Sequence, residues 1–191
     1  MPAPRPWLSL AAKSGFTPAS LAETLDGGQA FRWHRQTDDS WLGQWSDHAC
    51  LVRMTATGAL EFQGLTPETD RAIVSDYLAL DDSAAQAATK LPTLSDPHLA
   101  QAEQTFPGLR ILRQPFGETL LGFLCSATKQ IVQIKQMLAL LAEHHGSPVP
   151  AVCHPLDDKL PLRALPTWEQ LAAVSEDDLR ACQLGFRARY I

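Results

Sequence analysis

The spacing of the apolar residues changes once along this chain, and that change limits the possible folds more than any other feature. From Gln29 to Leu65 the sequence QAFRWHRQTDDSWLGQWSDHACLVRMTATGALEFQGL alternates apolar and polar residues in short runs, broken at TDDS, SDH and TGA. A strand sends successive side chains to opposite faces, so such runs read as half-buried strands joined by tight turns. Residues 1 to 65 are therefore expected to be β-rich, with an antiparallel meander. From Thr66 onward helix signals replace the alternation. Thr66 reads as an N-cap with Pro67 at the first helical position, and Asp96 with Pro97 repeats the device. PGLRILRQ is a short connector.

The block from Pro115 to Gly146 is the most apolar part of the chain. Its first half, up to Cys125, is apolar nearly all round, which predicts a buried helix. The small and polar residues SATK interrupt it. Beyond them Ile131, Ile134, Met137, Leu138 and Leu141 recur at helical spacing, which predicts an amphipathic helix ending at Gly146. A proline-rich loop runs from Ser147 to about Pro166. Thr167 with Gln170 forms a capping box. Ser175 caps a short helix with an acidic first turn, and Gly185 stands where a glycine closing that helix belongs. The pattern is a β-rich half followed by an all-helical half. Phe186 to Ile191 reads as a helix just beginning, so a helix cut short is expected there.

Composition narrows the function classes. The chain has 191 residues, a formal net charge of −5 and a pI of about 5.6. No global basic field attracts nucleic acid, so such a role needs a local basic patch. The four cysteines show no CxxC spacing, which signals neither a zinc site nor a disulfide framework. A reduced, cytosolic setting fits best. The N-terminus lacks the long apolar stretch of a signal peptide, and no run reaches the roughly 18 apolar residues of a membrane span.

Familiar catalytic constellations are missing. His144 and His145 are adjacent and point about 100° apart on a helix, and Cys153 and His154 have no partner at ligand spacing, so no metal is expected. There is no P-loop, GxGxxG or GxSxG motif. Glu118, inside the apolar block, is either a perturbed carboxylate or an ordinary first-turn cap, and the cap is favoured. The glycine pair in GGQAFRW (27 to 33) admits a turn before a hairpin. It also admits a close approach of something to the backbone.

Four segments in fixed order carry a resemblance: LDGGQAFRW (25 to 33), WLGQW (41 to 45), FPGLRILRQPFGETLLGFLCSATKQI (106 to 131) and LGFRARYI (184 to 191). From about Leu21 to Ile191 the chain closely resembles the 8-oxoguanine DNA glycosylase family of the helix–hairpin–helix superfamily. The resemblance implies an α+β fold. An N-terminal antiparallel sheet like half of the TATA-binding protein (1 to 107) would precede the first helices of an all-α glycosylase domain (108 to 191). It implies a lesion-reading site at Gly28 and Gln29. 8-Oxoguanine carries a hydrogen on N7 where guanine offers an acceptor. A carbonyl at Gly28 would accept from the lesion and repel the normal base, and a glycine lets a flipped base reach the main chain.

The resemblance further assigns Phe186 as the wedge that fills the stack. It makes Arg187 a donor to the orphan cytosine with Arg180 in support, and puts Arg189 on the DNA-binding surface. The FRAR segment would be the local basic patch. The family usually carries an asparagine run after CS, whereas this chain has Ala127, Thr128, Lys129 and Gln130. A family arginine further along aligns with Gln133. Thr128 and Gln133 keep hydrogen-bonding capacity, and Lys129 could contact phosphate.

The family's nucleophilic lysine and its aspartate lie beyond the helix that begins at Phe186, so this chain alone is expected to be inactive. The expected activity of the intact enzyme is excision of oxidised purine with AP-lyase action, without cofactor or metal. The expected partner is double-stranded DNA containing a damaged base, bound by a monomer. The setting would be the bacterial cytoplasm and nucleoid, or a eukaryotic nucleus, with no membrane. The alternatives are a glycosylase for another lesion such as alkylated adenine, or a non-catalytic damaged-DNA-binding module.

Overall fold

The computed structural model describes residues 5–151 and 162–191. The alternating segment forms one antiparallel sheet from β1 (Leu8–Ala11), β2 (Trp33–Arg35), β3 (Trp41–Trp45), β4 (His48–Met54) and β5 (Leu60–Gly64). The strand order is β1-β5-β4-β3-β2, so β2 to β5 are the expected meander and β1 closes the far edge. The chain reverses at the predicted breaks, with Asp39, Ser46 and Gly58 in left-handed conformations.

One helix interrupts the stretch read as β-rich. In α1 (Pro18–Asp26) the Thr17 hydroxyl accepts from the Ser20 N–H at 3.1 Å, and the Ser20 hydroxyl accepts from the Thr17 N–H at 2.8 Å. That reciprocal cap, with Pro18 at the first helical position, nucleates the helix locally. The next helix, α2 (Arg71–Tyr77), starts later than Thr66 and Pro67 suggest. Thr66 is buried, with its hydroxyl on Thr69 Oγ1 at 2.6 Å, and Asp70 makes the cap by accepting from the Ile73 N–H at 2.9 Å. Asp70→Ala is expected to lower stability by about 1 kcal/mol, the scale of a lost N-cap, measured by urea unfolding.

α3 (Asp82–Ala88) and α4 (Pro97–Thr105) follow, the latter capped by Asp96 as expected. The connector from Phe106 to Pro115 is pinned by Arg110, which donates to the carbonyls of Ser14 (2.6 Å), Ala79 (3.0 Å) and Gly108 (3.0 Å) and lies over the Phe16 ring. The helical half contains α5 (Phe116–Ser126), α6 (Ile131–His145), α7 (Trp168–Leu171), α8 (Glu176–Ala181) and a 3-10 helix, Gly185–Tyr190. Thr167 and Ser175 cap α7 and α8 as predicted.

Two expectations need correction. α5 is not buried all round. Leu121, Gly122 and Cys125 face the core, while Phe116 and Phe123 are 79% and 71% exposed. The helix packs on one side only, with Gly122 against the Phe31 ring, and apolar composition cannot say which face finds a partner. The left-handed residue closing α8 is Gln183 (φ 63°), while Gly185 (φ 59°) opens the 3-10 helix. Gly146 ends α6 as expected, in extended geometry, and a side chain at that position would collide with the Ala164 and Ala142 carbonyls. The Cys153–His154 pair and most of the proline-rich loop lie outside the described residues.

One core lies between the sheet, α1 and α2. Its centre is fully buried Trp33, stacked with Trp45 at 6.1 Å between ring centroids and donating its indole N–H to the Tyr77 hydroxyl at 3.2 Å. Trp33 lies across Gly43 on β3, where a Cβ would run into the indole. A second core joins α5, α6, α7, α8 and the 3-10 helix. A third covers the other face of the sheet, where Leu51 and Leu65 meet Val149 and Leu162.

Candidate nucleic-acid interface

α1 ends at Asp26, and the chain must then turn sharply into β2. Gly27 permits this because a Cβ there would strike the Glu23 carbonyl. Gly28 has φ +108°, a conformation L side chains rarely adopt. A Cβ on Gly28 would also sit 3.3 Å from Ile131 Cδ1, at the first residue of α6. Among the described residues no hydrogen bond reaches the Gly28 carbonyl. Gln29 is held on both sides: its Nε2 donates to the Arg110 carbonyl at 3.0 Å, and its Oε1 accepts from the Leu112 N–H at 2.9 Å. The Gln114 amide donates to the Gln29 carbonyl at 2.6 Å. The Gln29 side chain thus anchors the glycine loop to the connector.

The second element is the turn between α5 and α6. Thr128 takes φ 59°, a left-handed conformation that is an outlier for a β-branched residue and carries strain of about 1–3 kcal/mol. Its hydroxyl lies 3.4 Å from Arg187 Nη2. Arg187 belongs to the 3-10 helix and is only 4% exposed, unlike the solvated charge an arginine at a helix start usually is. Its guanidinium lies over the Phe186 ring at 4.5 Å, its Nη1 reaches the Leu184 carbonyl at 3.4 Å, and its Nε has no partner. A buried cation with long, incomplete hydrogen bonds has donors available for a ligand. Phe186 itself is 56% exposed.

The remaining predicted residues are placed as follows. Lys129 is exposed on the turn. Gln133 closes a reciprocal cap at the start of α6, accepting from the Gln130 N–H at 3.1 Å. Arg180 is paired with Glu176 one helical turn earlier, at 2.5 Å. Arg189 is exposed and lies over the Tyr190 ring. Gly28, Thr128, Phe186 and Arg187 therefore converge on the α5–α6 turn. Gly28 meets the residue that follows the turn, and Arg187 meets a residue within it.

Sequence reading missed a buried polar group behind the glycine loop. Arg32 donates to Gln44 Oε1 at 2.9 Å and to the Arg163 carbonyl at 2.5 Å. Glu118 does not cap its own helix. It accepts from the Ser46 N–H in the β3–β4 turn at 2.7 Å, tying α5 to the sheet. Arg32, Gln44 and Glu118 line a void of about 20 Å³, room for one water, and Arg32 Nη1 and Gln44 Nε2 have no protein partner. Only the unusual FRW context of Arg32 could have drawn attention to it.

Burial pushes the Glu118 carboxyl above its ordinary value, opposed by the bond from Ser46 and by Arg32. Only in the pH interval between the unfolded and folded values does the folded chain keep a proton that the unfolded chain has released. The stability this group contributes is present below the unfolded value and is lost as pH rises through the folded one. Glu118→Gln keeps an acceptor for Ser46 but does not titrate. It is expected to flatten the decline of the urea midpoint that this carboxyl produces just above the ordinary glutamate range.

The fold is that of a DNA glycosylase front half. It superposes on the structure of MBOgg1 with a low-affinity DNA ligand with a TM-score of 0.79, at 29% identity, covering 94% of this chain and 58% of that one. On the Clostridium acetobutylicum 8-oxoguanine glycosylase/lyase, bound to duplex DNA with cytosine opposite 8-oxoguanine, the TM-score is 0.72 at 29% identity, covering 89% and 56%. The family model for the 8-oxoguanine DNA glycosylase N-terminal domain matches residues 14–120, and the chain belongs to that family. N-glycosylase/DNA lyase OGG1 of Arabidopsis thaliana is 26% identical over 97% of this chain and 49% of its own length. The chain spans about half the length of the curated relatives it matches.

Among the described residues no three histidine, cysteine, aspartate or glutamate side chains gather as metal ligands, and no helix is long and apolar enough to cross a membrane.

Proposed function

We propose that this chain reads damaged duplex DNA for base-excision repair, as the lesion-recognising and opposite-strand-reading part of an 8-oxoguanine glycosylase/lyase. The observation that carries the reading is the convergence of Gly28, Thr128, Phe186 and Arg187 on one turn. Extruding a base creates two needs at adjacent places: a pocket wall for the flipped base, and a filler for the hole with donors for the orphan. The unbonded Gly28 carbonyl meets the first need by accepting from N7–H of the lesion. Exposed Phe186 fills the stack, and Arg187 offers donors to cytosine. Lys129 and Arg189 contact phosphate, giving an acidic chain its local basic surface. Gln29 supports the base-reading carbonyl through its bonds to the connector.

In this reading the chain acts as a monomer on chromosomal DNA, in a nucleoid or nucleus. Its boundary between sheet domain and helical domain falls at residues 107 and 108. No residue of this chain is assigned as nucleophile, so the chain alone binds without releasing base. The test is fluorescence anisotropy with duplexes carrying 8-oxoguanine or guanine opposite cytosine, across a salt series. Tighter binding of the lesion duplex, with log affinity falling linearly against log salt, is the expected result. Equal, salt-independent binding of both duplexes would overturn the reading. Base release by the purified chain would overturn the assignment of chemistry elsewhere.

A further inference from the structure

Lys135 lies on α6, one turn after Ile131, and its side chain is only 15% exposed. Its ammonium donates to the Trp33 carbonyl at 2.7 Å and pairs with the Asp26 carboxylate. Asp26 is the last residue of α1 and directly precedes the two glycines, while Trp33 opens β2. The loop that carries Gly28 therefore starts and finishes on a single ammonium group. Ile131 and Lys135 share one face of α6, four residues apart. The Ile131 side chain lies beside Gly28, and Lys135 holds the two ends.

We propose that Lys135 is a positioning residue for lesion reading: by tying both ends of the glycine loop to α6, it fixes the direction of the Gly28 carbonyl. This rests on the role of Gly28 given above. Telling an N7–H from an N7 lone pair depends on angle as well as distance, since hydrogen bonds weaken steeply as they bend. A glycine pair makes the loop permissive, so its aim must be set by groups outside it. An ordinary surface ion pair would contribute little and would not need the second acceptor. Here the lysine is largely buried, and that acceptor is the backbone at the far end of the loop.

The experiment compares the wild-type chain with Lys135→Met and Lys135→Arg. One readout is the affinity ratio between 8-oxoguanine and guanine duplexes, and the other is amide hydrogen exchange. Lys135→Met is expected to lower the ratio by about tenfold, the scale of one well-made hydrogen bond. Affinity for the undamaged duplex should stay within about twofold, because phosphate contacts are untouched. Exchange should rise across residues 27–33 and stay unchanged in β4 and β5. Lys135→Arg keeps a cation and should recover part of both effects.

Unchanged ratio and exchange in Lys135→Met would overturn the proposal. So would equal loss of affinity for both duplexes with exchange rising throughout, which marks a purely structural role. If the wild-type chain shows no lesion preference, the fault lies with the reading of Gly28, and this inference falls with it.

Discussion

Trp33→Ala is expected to cost about 3–5 kcal/mol of folding stability, the range for truncating a fully buried large aromatic. The indole has no exposed surface, stacks on Trp45, and donates to Tyr77, itself buried with Trp45 at 4.2 Å. Removal leaves a cavity that the rigid sheet cannot collapse into, and it orphans the Tyr77 hydroxyl. Gly43 makes the site less forgiving, because the strand opposite has no side chain with which to refill the space. Urea unfolding followed by tryptophan fluorescence and circular dichroism measures the loss. Trp33→Phe should recover much of it, since it restores ring area without the indole N–H. A loss under about 1 kcal/mol for Trp33→Ala would mean that this core is far looser than its burial indicates.

Arg187→Ala should leave folding nearly unchanged and weaken binding to duplexes with cytosine opposite the lesion by about 10- to 100-fold, or ~1–3 kcal/mol. The asymmetry follows from its surroundings. The guanidinium is buried, yet its protein hydrogen bonds are 3.4 Å long and its Nε has none, so its burial is not repaid within the free protein. An unpaired cytosine offers two acceptors on its pairing edge that a guanidinium fork matches. Arg187→Lys should fail to rescue, because an ammonium lacks the fork and does not stack on Phe186 as a planar group does. Anisotropy with cytosine, adenine or an abasic site opposite the lesion reads the effect. An unaltered order of preference among the three would remove Arg187 from the reading of the orphan base.

The parts of the fold that could be read from sequence are those set by short-range physics. Alternation located β2 to β5, and the caps at Asp96, Thr167 and Ser175 fell where predicted, because a side chain bonding an N–H two or three residues away is a local event. Thr66 misled because its hydroxyl found Thr69 in a buried turn, a competitor that is also local but chemically indistinguishable from a cap. α1 was hidden by the strands around it, although Thr17, Pro18 and Ser20 carried its signal. Burial of α5 was misread because an apolar composition does not say which face of the helix finds a partner, and here only the Leu121, Gly122 and Cys125 face does.

The same limit applied to the site. Gly28, Thr128, Phe186 and Arg187 were named from the family motifs. That Arg187 is buried against Thr128, and that Lys135 holds Trp33 and Asp26, are contacts between distant segments that no motif encodes. Arg32 escaped for the same reason, and Glu118 was weighed as a perturbed carboxylate but favoured as a cap, because its burial has meaning only once α5 lies against the sheet.

The three cysteines among the described residues are buried and unpaired. Burial pushes up the thiols of Cys50 and Cys182, and takes that of Cys125 to about 11 despite the opposing pull of Arg187. Peroxides attack the thiolate, so at neutral pH these sulfurs present almost none of the reactive species and little surface on which to meet it. Peroxide oxidation is therefore expected to pass over these three thiols while the fold is intact and to reach them only once it opens, so their protection reports on the integrity of both cores.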